Sequence, residues 1–465
     1  MSSTPSVSYS ITVRLEVPAA GSAVSQLTSA VEASGGIVTA LDVTASGHER
    51  LRIDVTCAAG DTAHADDIVK ALAAIDDVTV HKVSDRTFLM HLGGVIEMQS
   101  KHAIRNRDDL SMVYTPGVAR ISAAIVTNPD DARSLTVKRN AIAVVTDGSA
   151  VLGLGNIGPA AALPVMEGKA ALFKRFAGID AWPICLDTQD TDEIVRTVQV
   201  IAPVFAGINL EDISAPRCFE IEHRLRDLLD IPVFHDDQHG TAIVVLAALN
   251  NALRVVGKDL ASVRVVMSGA GAAGTAILKL MLRSGARDVV VADVGGVIHR
   301  DRPGMDASLT WIAEHTNVTQ TTGDLPGALA GADVFIGVSA PNLLTGADIE
   351  TMNSGSIVFA LANPVPEVDP AQAEKYATVV ATGRSDVANQ INNVLAFPGV
   401  FRGLLDAHSR QVTDDLLLAA SRAVASVVTD EELNAHYIIP SVFHVDVHQA
   451  VANAVRDSVK DQPRL

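Results

Sequence analysis

A glycine-rich turn between an apolar run and a helical pattern constrains the fold of this chain more than any other feature. Residues 263–267 predict a buried strand, GAGAAG follows at 269–274, and residues 276–283 continue with apolar side chains at helical spacing. A further apolar run at 289–292 ends in Asp293, nineteen residues beyond the last glycine. Strand, glycines, helix and acid in this order indicate a Rossmann-type dinucleotide-binding domain.

The same motif predicts the contacts to the cofactor. The glycines let the backbone approach a pyrophosphate at the N-terminus of the helix. Asp293 can accept hydrogen bonds from the adenosine ribose and would repel a 2′-phosphate, which favours NAD, while Arg300 and Arg302 keep NADP as the alternative. The residues predicted to contact the cofactor, two of them at the ends of later strands, are Gly269, Gly271, Ala272, Ala273, Gly274, Asp293, Ser339 and Asn363.

Four carboxylates follow two other predicted strands. Glu211 and Asp212 lie in NLEDI, and Asp236 and Asp237 lie in FHDDQHGTA, where a tight turn and a long apolar helix are expected next. Open α/β sheets place ligands at the carboxyl ends of their strands, so we expect these acids to lie together. Three or four clustered carboxylates repel one another unless a cation neutralises them, which predicts a divalent metal site.

Two further side chains are candidates for proton transfer. Lys169 lies within a helical pattern at 159–177. A lysine there is usually a surface residue with a buried stem, and the functional alternative is a partly buried amine whose pKa is lowered so that it acts as a base. Tyr114 precedes Thr-Pro-Gly, and an aromatic ring that packs against a turn is the simplest interpretation from the residues alone.

The pattern of elements places the chain in the α/β class with four predicted parts. Residues 1–88 have the order βαββαβ. Residues 89–238 form an α/β substrate domain whose first part, 89–140, is predicted to be irregular. Residues 239–393 form the Rossmann-type NAD-binding domain, and 394–465 are a helical segment expected to pack on the substrate domain.

The first part resembles an ACT domain in order and length. ACT domains are regulatory modules that commonly bind amino acids between paired copies, so the resemblance implies a small-molecule effector. A ferredoxin-like module that only mediates oligomerisation fits the pattern equally well, because fold alone does not fix function.

Composition excludes several classes of partner. The net charge of −18 argues against nucleic acid and anionic membranes. Three scattered cysteines follow no metal or disulfide spacing, which favours a reducing cytoplasm. The N-terminus lacks the pattern of a secretory signal, and no apolar run is expected to span a bilayer.

Taken together, these stretches resemble malic enzymes of the short bacterial kind with an N-terminal ACT domain. The matching stretches, which span roughly residues 89–440, are YTPGVA, DGSAVLGLGNIGP, MEGKAALFKRFAGIDA, NLEDI, FHDDQHGTA, GAGAAG, ANPVPE and NQINNVLAFPG. The resemblance implies oxidative decarboxylation of (S)-malate to pyruvate and CO2 with NAD(P) and Mg²⁺ or Mn²⁺. It also implies a homo-oligomer, either a dimer or a tetramer.

The resemblance assigns roles to individual residues. Glu211, Asp212 and Asp237 would be the metal ligands, and their hard oxygen atoms suit Mg²⁺ or Mn²⁺. The implied catalytic groups are Lys169 as the base, Tyr114 as the acid that protonates enolpyruvate, and Asp236 as the partner of Lys169. Tyr114 could act in its own subunit or in a partner subunit. The substrate would contact Tyr114, Lys169, Asn363 and Asn393, with Asn392 as a competitor for the last position.

One position departs from the family pattern. Larger malic enzymes carry a carboxylate-binding arginine where this chain has Ala150, so Asn156, amides of the glycine loop or Arg384 would replace it. Two other functions remain as alternatives. One is an NAD-dependent hydroxy or amino acid dehydrogenase without decarboxylation, and the other is a metabolite-sensing NAD-binding protein without catalysis.

Overall fold

The computed structural model describes residues 5–19, 22–151 and 153–459. The chain divides into two compact units, Met1–Glu97 and Met98–Leu465. The boundary lies nine residues beyond the predicted one, because a short helix after the last strand of the first unit belongs to that unit.

The first unit is a four-stranded antiparallel sheet with two main helices, and its order β1-α1-β2-β3-α2-β4 is the one that the sequence predicts. The strands are arranged β2-β3-β1-β4, as in ferredoxin-like modules. Leu15, Leu27, Ile53 and Ile68 form part of a core between sheet and helices. The elements are β1 (Ser6–Pro18), α1 (Ala23–Ala33), β2 (Ile37–Ser46), β3 (Arg50–Ala59), α2 (Thr62–Ala73), β4 (Thr79–Asp85) and α3 (Arg86–His91).

The second unit begins with three short helices, so the prediction of an irregular segment at 89–140 is wrong in part. They are α4 (Arg107–Val113), α5 (Val118–Thr127) and α6 (Asp131–Leu135), followed by a 3-10 turn at Val137–Arg139. Asn106 caps α4 by accepting a hydrogen bond from the Asp109 amide at 2.8 Å. Helices of this length carry too few turns for their periodicity to be recognised in the sequence.

A four-stranded parallel sheet follows and confirms the predicted βα alternation. Its order is β6-β5-β7-β8, so β7 and β8 are neighbours. Its elements are β5 (Ala141–Thr146), α7 (Gly158–Ala177), β6 (Asp180–Cys185), α8 (Thr191–Ile201), β7 (Gly207–Leu210), α9 (Arg217–Leu228) and β8 (Val233–His235). One π-helical turn, Asp236–Gly240, then leads directly into α10 (Thr241–Val256), where a simple tight turn was expected.

The Rossmann-type sheet has six strands in the order β11-β10-β9-β12-β13-β14, and only the β10–β11 pair is antiparallel. The first elements are β9 (Arg264–Ser268), α11 (Ala272–Arg283), β10 (Asp288–Asp293), β11 (Gly296–Val297), α12 (Ala307–His315) and α13 (Leu325–Leu329). The remaining ones are β12 (Val334–Gly337), α14 (Gly346–Glu350), β13 (Ile357–Ala360), α15 (Pro370–Ala373) and β14 (Val379–Thr382).

Three C-terminal helices complete the second unit: α16 (Phe397–Ala407), α17 (Asp414–Ser426) and α18 (Val447–Ser458). Helix α16 contacts α7 of the parallel sheet, where the Phe173 ring lies 4.6 Å from Phe397 and 5.4 Å from Phe401 between centroids. Helix α10 is almost entirely buried and contacts both α11 and α17. One apolar core therefore joins the parallel sheet to the dinucleotide-binding sheet.

Two helical stretches, Arg107–Thr127 and Asp236–Val256, have the length and composition that a membrane span requires, contrary to the expectation of none. The second is mostly buried and contains α10, which explains its apolar composition. The first is interrupted between α4 and α5 by the turn at residues 114–117, and none of its side chains is buried.

Candidate active site

The ends of two adjacent strands bring the predicted acids together. Strands β7 and β8 are parallel neighbours, so the residues that follow Leu210 and His235 emerge at the same edge of the sheet. Lys169 lies on α7, and its Nζ is 2.8 Å from Glu211 Oε1. The same Nζ donates a hydrogen bond to Asp236 Oδ2. Only 7 % of Lys169 is exposed. It is therefore a buried amine between two carboxylates and not a surface lysine.

The pKa of Lys169 differs from the expectation of a lowered value. Burial alone would lower it, but the attraction of Asp236 and Glu211 outweighs burial and raises the pKa above its ordinary value. The Phe397 ring, whose centroid lies 4.0 Å from Nζ, adds a favourable contact for the ammonium. In the ligand-free protein Lys169 is therefore protonated at neutral pH, and the prediction of a lowered pKa is wrong for this state.

The three predicted metal ligands form one cluster. One carboxylate oxygen each from Glu211, Asp212 and Asp237 lies within 4.8 Å of the others. Asp212 Oδ2 is buried without a hydrogen-bond partner in the described chain. Burial, followed by repulsion from Asp237 and Glu211, raises the pKa of Asp212 to about 9. An orphaned oxygen and mutual repulsion are what a missing divalent cation would relieve, so the donor set fits Mg²⁺ or Mn²⁺.

The backbone around the cluster is fixed by close contacts. Asp212 has a left-handed φ of 53°, and its amide donates to Asp237 Oδ2 at 2.8 Å. A Cβ atom at Gly240 would lie 1.8 Å from Asp236 Oδ1, so no side chain fits at the end of the π-helical turn. Asn209, which the sequence analysis missed, donates to Glu211 Oε2 at 2.8 Å. These contacts hold the acids in a preorganised arrangement.

The two candidate amides after β14 have different partners. Asn393 Nδ2 donates to Asp236 Oδ2, so the structure brings Asn393 to the site of Lys169. The side chain of Asn392 instead accepts a hydrogen bond from the Val394 amide at 3.0 Å and caps a 3-10 turn. Asn393 is therefore better placed than Asn392 to contact a substrate.

A second polar network, which sequence analysis missed, lies on α9 behind the π-helical turn. Glu222 is buried and accepts hydrogen bonds from Arg226 at 2.6 Å, His239 at 2.7 Å and Gln238 at 3.2 Å. Burial would raise the pKa of Glu222, but His239 and Arg226 outweigh it and bring the pKa to about 2. Because Gln238 and His239 belong to the turn that carries Asp236 and Asp237, Glu222 anchors that turn to α9.

Replacing Glu222 with glutamine is expected to lower the free energy of unfolding by about 2–3 kcal/mol, because Arg226 and His239 lose their buried acidic partner. Urea denaturation measures this loss, and titration with Mn²⁺ tests whether the acid cluster loosens with it. Glu220→Gln, on the same helix with a side chain 60 % exposed, is the matched control and should change stability by less than about 0.5 kcal/mol. Equal losses in the two variants would refute the anchoring role.

The glycine motif adopts the predicted strand-turn-helix conformation. A Cβ atom at Gly274 would lie 2.0 Å from the Gly269 oxygen, so the helix can approach the turn only with glycine there. Helix α11 also contacts the π-helical turn, which places the dinucleotide motif beside the acid cluster. Asp293 accepts from the Gly295 amide and pairs with Arg302, each at 2.7 Å. Of the two arginines that kept NADP open, Arg302 is therefore the one beside Asp293.

Ser339 and Asn363 lie at the ends of β12 and β13. The Ser339 amide donates to Glu367 Oε1 at 2.8 Å, and the Ser339 hydroxyl pairs with Ser268 at 2.7 Å, directly before the glycine motif. Gly153, in the loop after β5, closely approaches the backbone of Asn363. The structure thus places Ser339 beside the dinucleotide motif and Asn363 between the glycine loop and β13.

No side-chain contact among the described residues joins Tyr114, Arg384 or Asn156 to the acid cluster. Tyr114 is 67 % exposed, and its phenol forms no hydrogen bond with any described residue. Arg384 pairs with Asp386 at 2.8 Å, and Asn156 accepts from Gln189 at 3.0 Å. The backbone amide of Ala150 donates to the backbone carbonyl oxygen of Asp212 at 2.9 Å, so the glycine loop does reach the backbone that carries the cluster.

A Rossmann-type sheet joined by one core to a parallel sheet with a lysine and acid cluster defines a dinucleotide-dependent α/β enzyme class. Residues 93–226 match the family model described as malic enzyme, N-terminal domain, and residues 238–460 match malic enzyme, NAD binding domain. The chain therefore belongs to the malic enzyme family, which confirms the resemblance to malic enzymes and the α/β fold class with a Rossmann-type NAD-binding domain.

Individual relatives agree with this assignment. The chain is 55 % identical to the NAD-dependent malic enzyme of Geobacillus stearothermophilus over 96 % of its length and 93 % of that protein. It is 53 % identical to the bifunctional malic/malolactic enzyme of Bacillus subtilis (strain 168), over 78 % of this chain and 89 % of the relative. A crystal structure of an NAD-dependent malic enzyme from Thermotoga maritima has a TM-score of 0.77 at 47 % identity, covering 80 % of this chain and 99 % of that one.

Proposed function

We propose that the protein catalyses the oxidative decarboxylation of (S)-malate to pyruvate and CO2 with reduction of NAD, and that it requires a divalent metal ion. The observation that carries the proposal is the buried Lys169 beside an acid cluster, whose member Asp237 lies on the π-helical turn that α11 of the dinucleotide motif contacts. A base, a cation site and a hydride acceptor are the three components that the reaction needs in one place.

Glu211, Asp212 and Asp237 would hold the cation. When bound, Mg²⁺ or Mn²⁺ supplies Lewis-acid polarisation of the substrate oxygens. Lys169 would receive the proton of the C2 hydroxyl group as hydride leaves for the nicotinamide, and Asp236 would orient the amine. When Glu211 binds the metal ion, its negative charge stabilises the Lys169 ammonium less. The pKa of Lys169 is then lower, which favours the neutral amine that a base requires.

The experiment that tests this function is a steady-state assay of malate with NAD or NADP, with Mn²⁺ or with EDTA, that follows both reduced nucleotide and pyruvate. We expect pyruvate and NADH in equal amounts and no turnover in EDTA. Turnover that survives EDTA and yields oxaloacetate would favour a dehydrogenase without decarboxylation. The Asp293 carboxylate favours NAD, and its ion pair with Arg302 keeps a smaller activity with NADP possible.

We also propose that Tyr114 acts in the site of a second copy of this chain. Helices α4, α5 and α6 contain no buried residue. The segment 98–135, named here the apolar arm, exposes a set of large apolar side chains, among them Met98, Ile104, Leu110, Met112, Val113, Tyr114, Val118, Ile121, Val126 and Leu135. So many exposed apolar side chains in one segment favour a protein interface, and a second copy would bury them in a symmetric dimer.

Replacing Tyr114 with phenylalanine is expected to reduce malate turnover by at least about 100-fold, the usual contribution of a general acid. Mixing inactive Tyr114→Phe subunits with inactive Lys169→Met subunits then shows whether Tyr114 acts in the active site of its own chain or in that of the partner. If Tyr114 serves the partner, about half of the dimers are mixed and carry one complete site, which restores about one quarter of wild-type activity. Subunits that stay inactive after verified exchange would show that Tyr114 acts in its own chain.

The N-terminal unit is proposed to be the regulatory, ACT-like module. The Bacillus subtilis and Thermotoga maritima relatives match about four fifths of this chain with nearly all of their own length, which supports catalysis without the remainder. Deleting residues 1–97 is therefore expected to leave basal kcat within about threefold of the full chain and to abolish any response to amino acids. The measurement is a screen of amino acids against both proteins, and a response that survives deletion would place the effector elsewhere.

We propose that the protein works in the cytoplasm, without nucleic acid or membrane partners. Cys57, Cys185 and Cys218 are all free thiols, and two of them are buried, which agrees with a reducing compartment. The net charge of −18 would repel anionic surfaces.

A further inference from the structure

A basic cleft of about 740 Å³ lies in the second unit, away from the acid cluster. It is bounded by the 3-10 turn before β5 and by helices α16 and α18, and Asp406 is the only acidic residue that lines it within the described parts of the chain. The cationic side chains that line it, which define the basic cleft, are Lys101, Arg133, Lys138, Arg139, Arg402 and Arg456. Such a concentration of positive charge is unexpected on a chain with a net charge of −18.

Only part of this charge is neutralised within the protein. Arg402 pairs with Asp406 at 2.7 Å and donates to Asn140 at 2.8 Å, so it is a fixed part of the cleft wall. Arg133, Lys138 and Arg139, by contrast, have no acidic side chain within 4 Å among the described residues. About three positive charges therefore line one concave surface without an acidic partner. These charges repel one another, and a bound anion would relieve the repulsion.

Lys138 is the most constrained of these groups. Its Nζ donates to the Pro203 oxygen at 3.1 Å, which holds the ammonium in place. Burial lowers the pKa of Lys138, Asp230 opposes this effect, and Arg133 reinforces it. A bound anion would relieve the same repulsion and accept hydrogen bonds from Lys138 and the neighbouring guanidinium groups.

The position of the cleft separates it from the proposed active site. Asn140 and Ala206, two lining residues, directly precede β5 and β7, so the cleft lies at the amino ends of these strands. The acid cluster follows the carboxyl end of β7. A six-residue strand such as β5 is roughly 20 Å long, so the two sites lie at opposite edges of one sheet.

From these contacts we propose that the basic cleft binds a small multivalent anion, either a di- or tricarboxylate or a phosphate ester. The concave shape and the acidic remainder of the chain favour a small molecule over a polyanionic surface. Arginine forks bind both carboxylates and phosphates through paired hydrogen bonds, so the two sources share one recognition chemistry.

The test is calorimetric titration of the full chain in EDTA, without malate or dinucleotide, so that its outcome does not depend on the proposed function. The probes are inorganic pyrophosphate and citrate, with acetate as the singly charged control at constant ionic strength. We expect one site per chain for pyrophosphate, citrate or both, and no saturable binding of acetate. Binding of only one multivalent probe identifies the chemical class.

The variant Arg133→Gln/Arg139→Gln is expected to bind the same probe at least about tenfold more weakly, because two charge-assisted contacts are lost. Arg196→Gln, an exposed arginine on α8 outside the cleft, is the matched control and should bind as the wild type does. The single variant Arg139→Gln, at an exposed position, provides a second test should the double variant fold poorly, with at least about threefold weaker binding. Absence of multivalent binding, or equal affinity in all variants, would overturn the proposal.

Discussion

Lys169→Met is expected to lower kcat for malate oxidation by at least about 10³-fold, because the residue proposed to receive the C2 hydroxyl proton is removed. Affinity for NAD should stay within about twofold of the wild-type value, since no described contact joins Lys169 to the glycine motif. Single-turnover kinetics with malate and fluorescence titration with NADH measure the two quantities separately. Turnover within a few-fold of the wild type would exclude Lys169 from the mechanism.

The same variant is expected to destabilise the metal-free protein. Lys169 is the only cation that pairs with Glu211 and Asp236 among the described residues, and both acids are buried. Removing one partner of a buried ion pair typically costs about 3–5 kcal/mol, because the remaining charge has no compensation. Urea denaturation in EDTA measures the loss, and Mn²⁺ should restore part of it by neutralising Glu211.

Lys174→Met provides the matched control for both measurements. Lys174 lies on the same helix, its side chain is 63 % exposed, and it pairs with Asp180 at 2.6 Å. An exposed pair of this kind contributes less than about 1 kcal/mol, so turnover and stability should be nearly unchanged. A similar loss in both variants would indicate damage to α7 and not to the acid cluster.

The residues of the candidate site were recognisable in the sequence because they follow strands of a parallel sheet. Glu211 and Asp237 lie 26 positions apart in the chain, yet both lie within two residues of the ends of strands that the apolar runs predict. The rule that ligands bind at the carboxyl ends of such strands is enough to bring them together. The glycine motif was recognisable for a similar reason, since all its parts are local.

Interactions that depend on packing between distant elements could not be read in this way. The functional alternative for Lys169 assumed a lowered pKa, but the direction of the pKa shift depends on two carboxylates that lie 42 and 67 positions away in the sequence. Glu222 belongs to an ordinary helical pattern, and only the packing of α9 behind the π-helical turn gives it a role. The basic cleft likewise combines residues from both ends of the second unit, and no motif links them.

Asp212→Asn is expected to change metal binding and stability in opposite directions. Asparagine keeps the size of the side chain and tolerates the left-handed backbone at this position, so the fold should be preserved. Affinity for Mn²⁺ should fall at least about 100-fold, because one of the three proposed charged ligands is lost. Isothermal calorimetry measures this change, and Asp227→Asn, with a side chain 71 % exposed on α9, should leave the affinity unaltered.

The stability of the metal-free variant should increase, by on the order of 4 kcal/mol near pH 7. Burial and neighbouring acids raise the pKa of Asp212 from 3.8 to about 9, so folding opposes ionisation of this carboxyl group. The penalty is absent below the unfolded pKa, grows as the pH rises from about 4, and reaches its full size near pH 9. The stability advantage of the variant should follow the same course in EDTA and disappear for wild type saturated with Mn²⁺. A variant that is less stable than wild type at pH 8 in EDTA would show that the three acids do not repel one another, and the case for a cation among them would fail.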